Sequence, residues 1–429
     1  MNSQALRRAV STISMLGIAT AIGAVAVFLT QTLIARELGP TAYGLFASSL
    51  ATVTMVAPLA GFGLTQFRLK AYGVEGWSAH RWMRPSLRFT VFTTLLAIGA
   101  VVVWAFTGAP ADDTRVYLLV LTPVILSILA IDLLSSKLRL EDRYGEMALW
   151  HLAIPVSRLM AAAALLMAPQ LNGRFVAASY SAIAIVITLA SLPQLRAMLR
   201  GDMKLIGHGP RVDATVTSNP VPGTVELWSQ AWAYGMFAVL YPIFFQISTV
   251  LIKYLRSDAE AGIYGIALAV MTAVYLIPTT IYQKYLLSKL HRWAAHDKPK
   301  FWMVYRKGNI GMLLFGLLVG IALVVVGPLA VPIVFGEAYR GVIGILMVLS
   351  ICAPIRFLST AVGAALLTEN HMRYRVVAML VATVAVILLN VALIPVFGGM
   401  GAAVATVVGE FALLLITFYC VRRFVQPEH

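Results

Sequence analysis

Arg158, Arg356 and Glu410 lie well inside long apolar stretches and Asp132 toward the cytoplasmic end of another, where a charged side chain is costly enough to need a reason. A guanidinium there offers a planar fork of donors that suits phosphate oxygens. It can equally pair with an acid or with backbone carbonyls and lock helices together, and the sequence leaves both roles open for Arg158 and Arg356. A carboxyl in such surroundings is a group whose protonation can be coupled to motion. Asp132 and Glu410 are therefore candidates for proton or sodium coupling, with charge pairing to the arginines as the alternative. Gln31, Gln230, Gln246 and Tyr241 could complete a polar lining, or serve only as helix-to-helix hydrogen bonds. Pro58 and Pro278 are candidate bending points for opening and closing, or static kinks that shape packing.

The elements that carry these residues are set by hydropathy. Of the 429 residues, 60% are hydrophobic and 12% charged, with mean hydropathy +0.85, which excludes a water-soluble fold. A helix crossing about 30 Å of hydrocarbon needs about 20 apolar residues. On that rule twelve spans are expected at 11–35, 42–65, 86–107, 115–136, 146–168, 174–195, 225–251, 261–283, 309–333, 341–367, 376–397 and 400–421. The runs are apolar on every face, without the alternation of a closed barrel, so the chain reads as an all-α polytopic membrane protein. The first apolar stretch is longer than a signal-peptide core and has no cleavage pattern, so it should remain as an anchor.

With the amino terminus in the cytoplasm, 25 of the 33 Lys and Arg fall on cytoplasmic segments and six on the opposite side, so both termini are expected there. The net charge of +15 then reflects a basic surface facing anionic lipid and calls for no nucleic acid. The run from Lys289 to Lys307 mixes cations with Trp293, Phe301, Trp302 and Tyr305 and reads as an interfacial helix joining spans 8 and 9. Cys352 and Cys420 are too few and too separated for a disulfide or metal framework, and no cofactor is expected. His151 has no partner at metal-ligand spacing, and no glycine loop suited to cradling phosphates leads into a soluble domain.

The longest connection carries a density of glycine and proline that suits a linker, which gives an amino-terminal lobe at 1–200, a linker at 201–224 and a carboxy-terminal lobe at 225–429. Tyr43-Gly44 recurs as Tyr264-Gly265, Pro58 as Pro278, and Pro169 and Gly173 as Pro395 and Gly399, all within a narrow band of offsets. Each half has six spans, so the two would be related by a pseudo-twofold axis along the membrane normal, with a substrate path between them.

The segment from Ala35 to Phe46, containing Arg36-Glu37-Leu38-Gly39-Pro40 and Tyr43-Gly44, resembles the signature of the polysaccharide transporter family, the oligosaccharide or O-antigen flippases of the multidrug/oligosaccharidyl-lipid/polysaccharide (MOP) exporter superfamily. Gly61-Phe62-Gly63-Leu64, Glu260 to Gly265, Val334 to Tyr339 and Asn390 to Ala403 continue the resemblance in order along nearly the whole chain. It implies a bacterial inner-membrane flippase that moves undecaprenyl-pyrophosphate-linked oligosaccharide from the cytoplasmic to the periplasmic face by alternating access. A polysaccharide polymerase and a chain-length regulator are the partners it implies. A pyrophosphate cannot cross hydrocarbon unaided, because burying an unpaired charge costs many kcal/mol.

Three other readings compete. Drug exporters of the superfamily commonly carry an acid in the first span, and residues 11–35 contain none. Lipid II flippases usually have fourteen spans with arginines in spans 1, 2 and 8, whereas twelve spans are expected here and those three hold no arginine. A polymerase or other enzyme acting on lipid-linked sugar needs catalytic groups on a sizeable external loop, and the only adjacent carboxylate pair in the short external connections is Asp112-Asp113.

Overall fold

Glycine and proline decide where the apolar runs turn. The computed structural model describes residues 3–109, 111–168, 170–206, 222–286, 290, 293, 297–366 and 372–425. Helix α1 (Ser3–Val56) carries the first span and enters the second, broken only at Gly39, whose φ of 72° and ψ of 172° leave the helical region just before Pro40. It ends in a 3-10 turn at Ala57–Leu59 that contains Pro58. Gly61, Phe62 and Gly63 then all adopt positive φ, at 80°, 36° and 70°. The helix of the second span therefore stops at Val56 rather than near residue 65, and Pro58 lies at its end instead of inside it. A Cβ on Gly63 would collide with the backbone of Gly235, so glycine is required there by space as well as by conformation.

The helices that follow are α2 (Leu64–Glu75), α3 (Met83–Thr107), α4 (Asp112–Leu121), α5 (Pro123–Leu140), α6 (Tyr144–Met167), α7 (Gly173–Arg200) and α8 (Thr224–Leu255). Then come α9 (Asp258–Thr279), α10 (Lys298–Phe335), α11 (Val342–Leu349), α12 (Cys352–Ala365), α13 (Met372–Phe397) and α14 (Gly399–Cys420). No strand occurs among the described residues. Among the described residues ten stretches are long and apolar enough to cross a membrane, and the first, Met15–Thr107, is 93 residues long and covers nearly all of the first three spans read from the sequence. The architecture is all-α and polytopic.

Spans 4 and 10, which hold matching places in the two halves, are each interrupted. Pro123 and Pro354 supply the cause: proline has no N–H, and its ring presses on the carbonyl four residues back. The chain answers with tighter bonds, Thr122 N to Leu119 O at 3.3 Å and Ala353 N to Ser350 O at 3.0 Å. Pro278 sits one residue from the end of α9, where the helix passes into a π-helical segment at Thr280–Leu286. Residues 298–307 are the first turns of α10 itself, so they continue span 9 rather than form a separate interfacial helix. Residues 287–289, 291–292 and 294–296 of that run lie outside the described residues, as do Pro169 and most of the 201–224 connection, 207–221.

The chain divides into two compact units. Unit 1 comprises residues 1–23, 52–161 and 174–242; unit 2 comprises 24–51, 162–173 and 243–429. The core of unit 1 gathers Phe62, Phe67, Tyr72, Trp82, Phe89 and Leu227, with Phe62 stacked on Trp228 at 5.0 Å between centroids. In unit 2, α10 shows how a span sorts its faces. Leu314, Leu318, Ile321, Val325, Leu329 and Ile333 recur every three or four residues and are each at least 60% exposed, a stripe suited to lipid. Gly316 and Gly320 lie against Pro354 and Ser350 of the interrupted span 10.

Also within unit 2, a Cβ on Gly44 would collide with the carbonyl of Asp258, and one on Gly262 with that of Pro40. Gly262→Ala is expected to destabilise the protein by about 1–3 kcal/mol. Gly311→Ala, where nothing lies within 4 Å of the new methyl, should be neutral or slightly stabilising. Thermal unfolding in detergent separates the two.

Candidate functional site

In unit 2 the structure brings Arg356 of α12 and Glu410 of α14 together. Glu410 is fully buried, and Arg356 Nη1 stands 3.5 Å from each of its carboxylate oxygens. The guanidinium also lies over the rings of Phe245 at 4.5 Å and Tyr275 at 5.5 Å. Beside this pair runs a chain of polar contacts. The Tyr264 hydroxyl is 2.8 Å from Thr406 Oγ1, and Asn390 Nδ2 donates to Ser248 Oγ at 3.1 Å. Gln31 accepts from the Tyr43 hydroxyl at 2.9 Å, and Gln246 is half-buried on α8.

Unit 1 holds the other candidates, differently satisfied. The Arg158 guanidinium lies 4.2 Å over the ring of Tyr180, and its buried Nε has no hydrogen-bond partner among the described residues. Asp132 is exposed on α5 and makes no ion pair among the described residues, while Tyr241 is 39% exposed. Arg158 and Asp132 thus belong to one unit, Arg356 and Glu410 to the other.

Two features escaped the sequence reading. Arg68 is one of the 25 cations that the charge count puts on cytoplasmic segments, yet on α2 it is only 4% exposed, and its Nε and Nη1 are buried without a partner among the described residues. Lys137, likewise assigned to the aqueous edge, is fully buried. Its ammonium lies 2.9 Å from Glu141 Oε1 and donates to Gln194 Oε1 at 2.8 Å. Arg143 Nη1 donates to Glu141 Oε2 at 2.8 Å and the backbone N–H of Lys204 to Oε1 at 3.4 Å, so one carboxylate anchors three groups. The spacing of Lys137 and Glu141, four residues apart, was the available signal.

Burial pushes the Glu141 carboxyl up, but the hydrogen bonds and charges of Lys137 and Arg143 outweigh it and hold it below the ordinary carboxylate range. A depressed acid contributes stability that is complete above its unfolded value of about 4.3 and is lost as pH falls through the folded value. A spin label at exposed position 206 should therefore be immobile at neutral pH and gain mobility only once pH falls below the ordinary carboxylate range. In Glu141→Gln it should be mobile throughout.

Helices of membrane-spanning length, two of them interrupted at matching spans, and charge buried in the core define a polytopic membrane protein. The chain is similar to a structure described as the lipid II flippase MurJ in an inward closed conformation, at 12% identity and TM-score 0.68, covering 95% of this chain and 87% of that one. An inward-facing multidrug resistance MATE family transporter of the MOP superfamily gives 14% identity and TM-score 0.70 over 96% and 97%. A MOP superfamily transporter from Pyrococcus furiosus gives 13% and 0.61 over 96% and 94%. These neighbours are described as a flippase and transporters, and this chain shares their fold. No curated protein matches the chain in sequence. Residues 9–285 match the model of the polysaccharide biosynthesis protein family, and the chain belongs to that family.

Proposed function

We propose that the protein is a flippase that carries undecaprenyl-pyrophosphate-linked oligosaccharide from the cytoplasmic to the periplasmic face of a bacterial inner membrane. Two six-helix lobes, 1–200 and 225–429, alternate access to the two sides, with both termini cytoplasmic and 201–224 as the linker. The observation that carries this reading is the pair of arginines in unit 1 whose buried donors have no partner among the described residues, Arg68 and Arg158. An unmet guanidinium N–H in an apolar core is costly, and a phosphate oxygen is the acceptor that satisfies it best. The polyisoprenoid tail needs no such site, since it stays in hydrocarbon throughout.

The Arg356–Glu410 pair supplies the coupling element. Taking up a proton at Glu410 cancels its attraction for Arg356, so the pair has two states that a proton gradient can bias. Pro58 and Pro278 fall at transitions between helix types and are the bending points of this scheme. Gln31, Gln246, Tyr241 and Asp132 are secondary lining candidates. A polymerase and a chain-length regulator receive the product.

The test is the sidedness of carrier-linked oligosaccharide in cells lacking the protein, read with a membrane-impermeant sugar-binding probe on intact and everted vesicles. Accumulation confined to the cytoplasmic leaflet and reversed by the intact gene supports the flippase. Normal sidedness with raised drug sensitivity would favour a cation-coupled drug exporter, and normal sidedness with altered chain length a polymerase.

A further inference from the structure

Unit 1 contains a second polar site, apart from Arg68 and Arg158. A cavity of about 780 Å³ opens between the ends of α5 and α7 and the segment that leaves α7, within the size range of small-molecule sites. Its floor is the Lys137–Glu141–Arg143 cluster, in which the two cations are offset by Glu141 and by Glu146, which pairs with Arg143 from outside the cavity. The segment is held in place by Ile206 N donating to Leu140 O at 3.2 Å, with Met203 and Leu205 packed into the core.

What lines the opening is chemically mixed. Lys137 occupies the Gln194 carbonyl oxygen, which leaves the amide nitrogen as a donor. Neither that nitrogen, nor the Asp202 carboxylate, nor the Lys204 ammonium has a partner among the described residues. Half-buried Trp77 and the apolar Ala197 and Met203 supply the rest of the wall. An anionic ligand would meet Asp202 and Glu141, and a cationic one Lys204, Lys137 and Arg143, so neither sign of charge is favoured. A hydroxyl both donates and accepts, and so fits beside an amide, an ammonium and a carboxylate at once. An indole offers an apolar face to the C–H side of a sugar ring.

We infer that this cavity is a carbohydrate subsite, which takes an uncharged sugar unit of the oligosaccharide headgroup. The inference rests on the proposed oligosaccharide substrate and adds a place where sugar, rather than phosphate, is recognised. On the proposed orientation it lies at the cytoplasmic ends of spans 4 and 6, where the headgroup is presented before translocation.

The test is saturation-transfer NMR on the full-length protein in nanodiscs with a panel of free neutral hexoses, deoxyhexoses and N-acetylhexosamines. At least one sugar should receive saturation that falls at least five-fold in Trp77→Ala and in Asp202→Asn and is unchanged in Gly311→Ala, a position with no role in binding. Asp202 is exposed and holds no partner among the described residues, so its variant keeps the readout clear of misfolding. Absence of transfer from every sugar, transfer indifferent to both variants, or displacement of the sugar by inorganic phosphate would overturn the subsite. Translocation that proceeds without sugar binding removes the subsite alone, whereas sugar binding without translocation removes the flippase reading and leaves the subsite standing.

Discussion

Glu410→Ala should prevent stable accumulation of the protein, and Arg356→Met combined with Glu410→Leu should restore it. The single change takes from the buried Arg356 guanidinium the Glu410 carboxylate that faces it, at an expected cost of about 3–5 kcal/mol. That is a large part of the 5–15 kcal/mol that typically holds a domain together, roughly speaking, so expression and thermal midpoint should both collapse. The double change removes both desolvation penalties and fills similar volume, which is neutral or stabilising when a buried pair is replaced whole. At 3.5 Å the existing contact is long for a charge-assisted bond, which favours the rescue. Because the double variant folds, its transport can be read. Loss of gradient-driven transport in a well-folded protein would assign the pair to coupling, whereas undiminished gradient dependence would leave it a structural brace.

Arg68→Met and Arg158→Met should have the opposite signature, raising stability while removing function. Arg68 buries two donors and Arg158 one that no described residue satisfies, and methionine keeps much of the apolar stem without the charge. The expected gain is about 1–4 kcal/mol by analogy with buried ions replaced by apolar side chains. Each bidentate contact to pyrophosphate is worth about 1.5–3 kcal/mol, so each variant should lower translocation by roughly 10- to 100-fold. An arginine kept for packing would behave differently: its loss would lower the thermal midpoint and leave translocation by the surviving protein intact. The combination of higher stability and lower activity is the pattern expected of a site strained for function.

Hydropathy made the spans and the helical class legible, because a bilayer demands runs of a length that no other fold supplies in such number. It could not tell which way a side chain points near the end of a run. Arg68 lies just beyond the apolar stretch that ends near residue 65 and was counted with the cytoplasmic cations, although it turns into the aromatic core of unit 1. Lys137 was misplaced for the same reason. The Arg356–Glu410 contact joins residues 54 positions apart, a distance at which periodicity carries no information. Backbone breaks were half visible: Gly39-Pro40 marked one, but Pro123 and Pro354 lie inside uninterrupted apolar runs and gave no sign of the local 3-10 bonding they impose. The end of α1 at Val56 follows from three consecutive positive φ values, one of them at Phe62, which composition does not foretell.

The central claim is tested most directly by reconstituting the purified protein into sealed vesicles that carry pyrophosphate-linked oligosaccharide in one leaflet and following its protection from an impermeant glycosidase. The account predicts protein-dependent exchange between leaflets that falls at least ten-fold in Arg68→Met and Arg158→Met while both variants melt at or above the parent temperature. Exchange at the parent rate in both stably folded variants would contradict it.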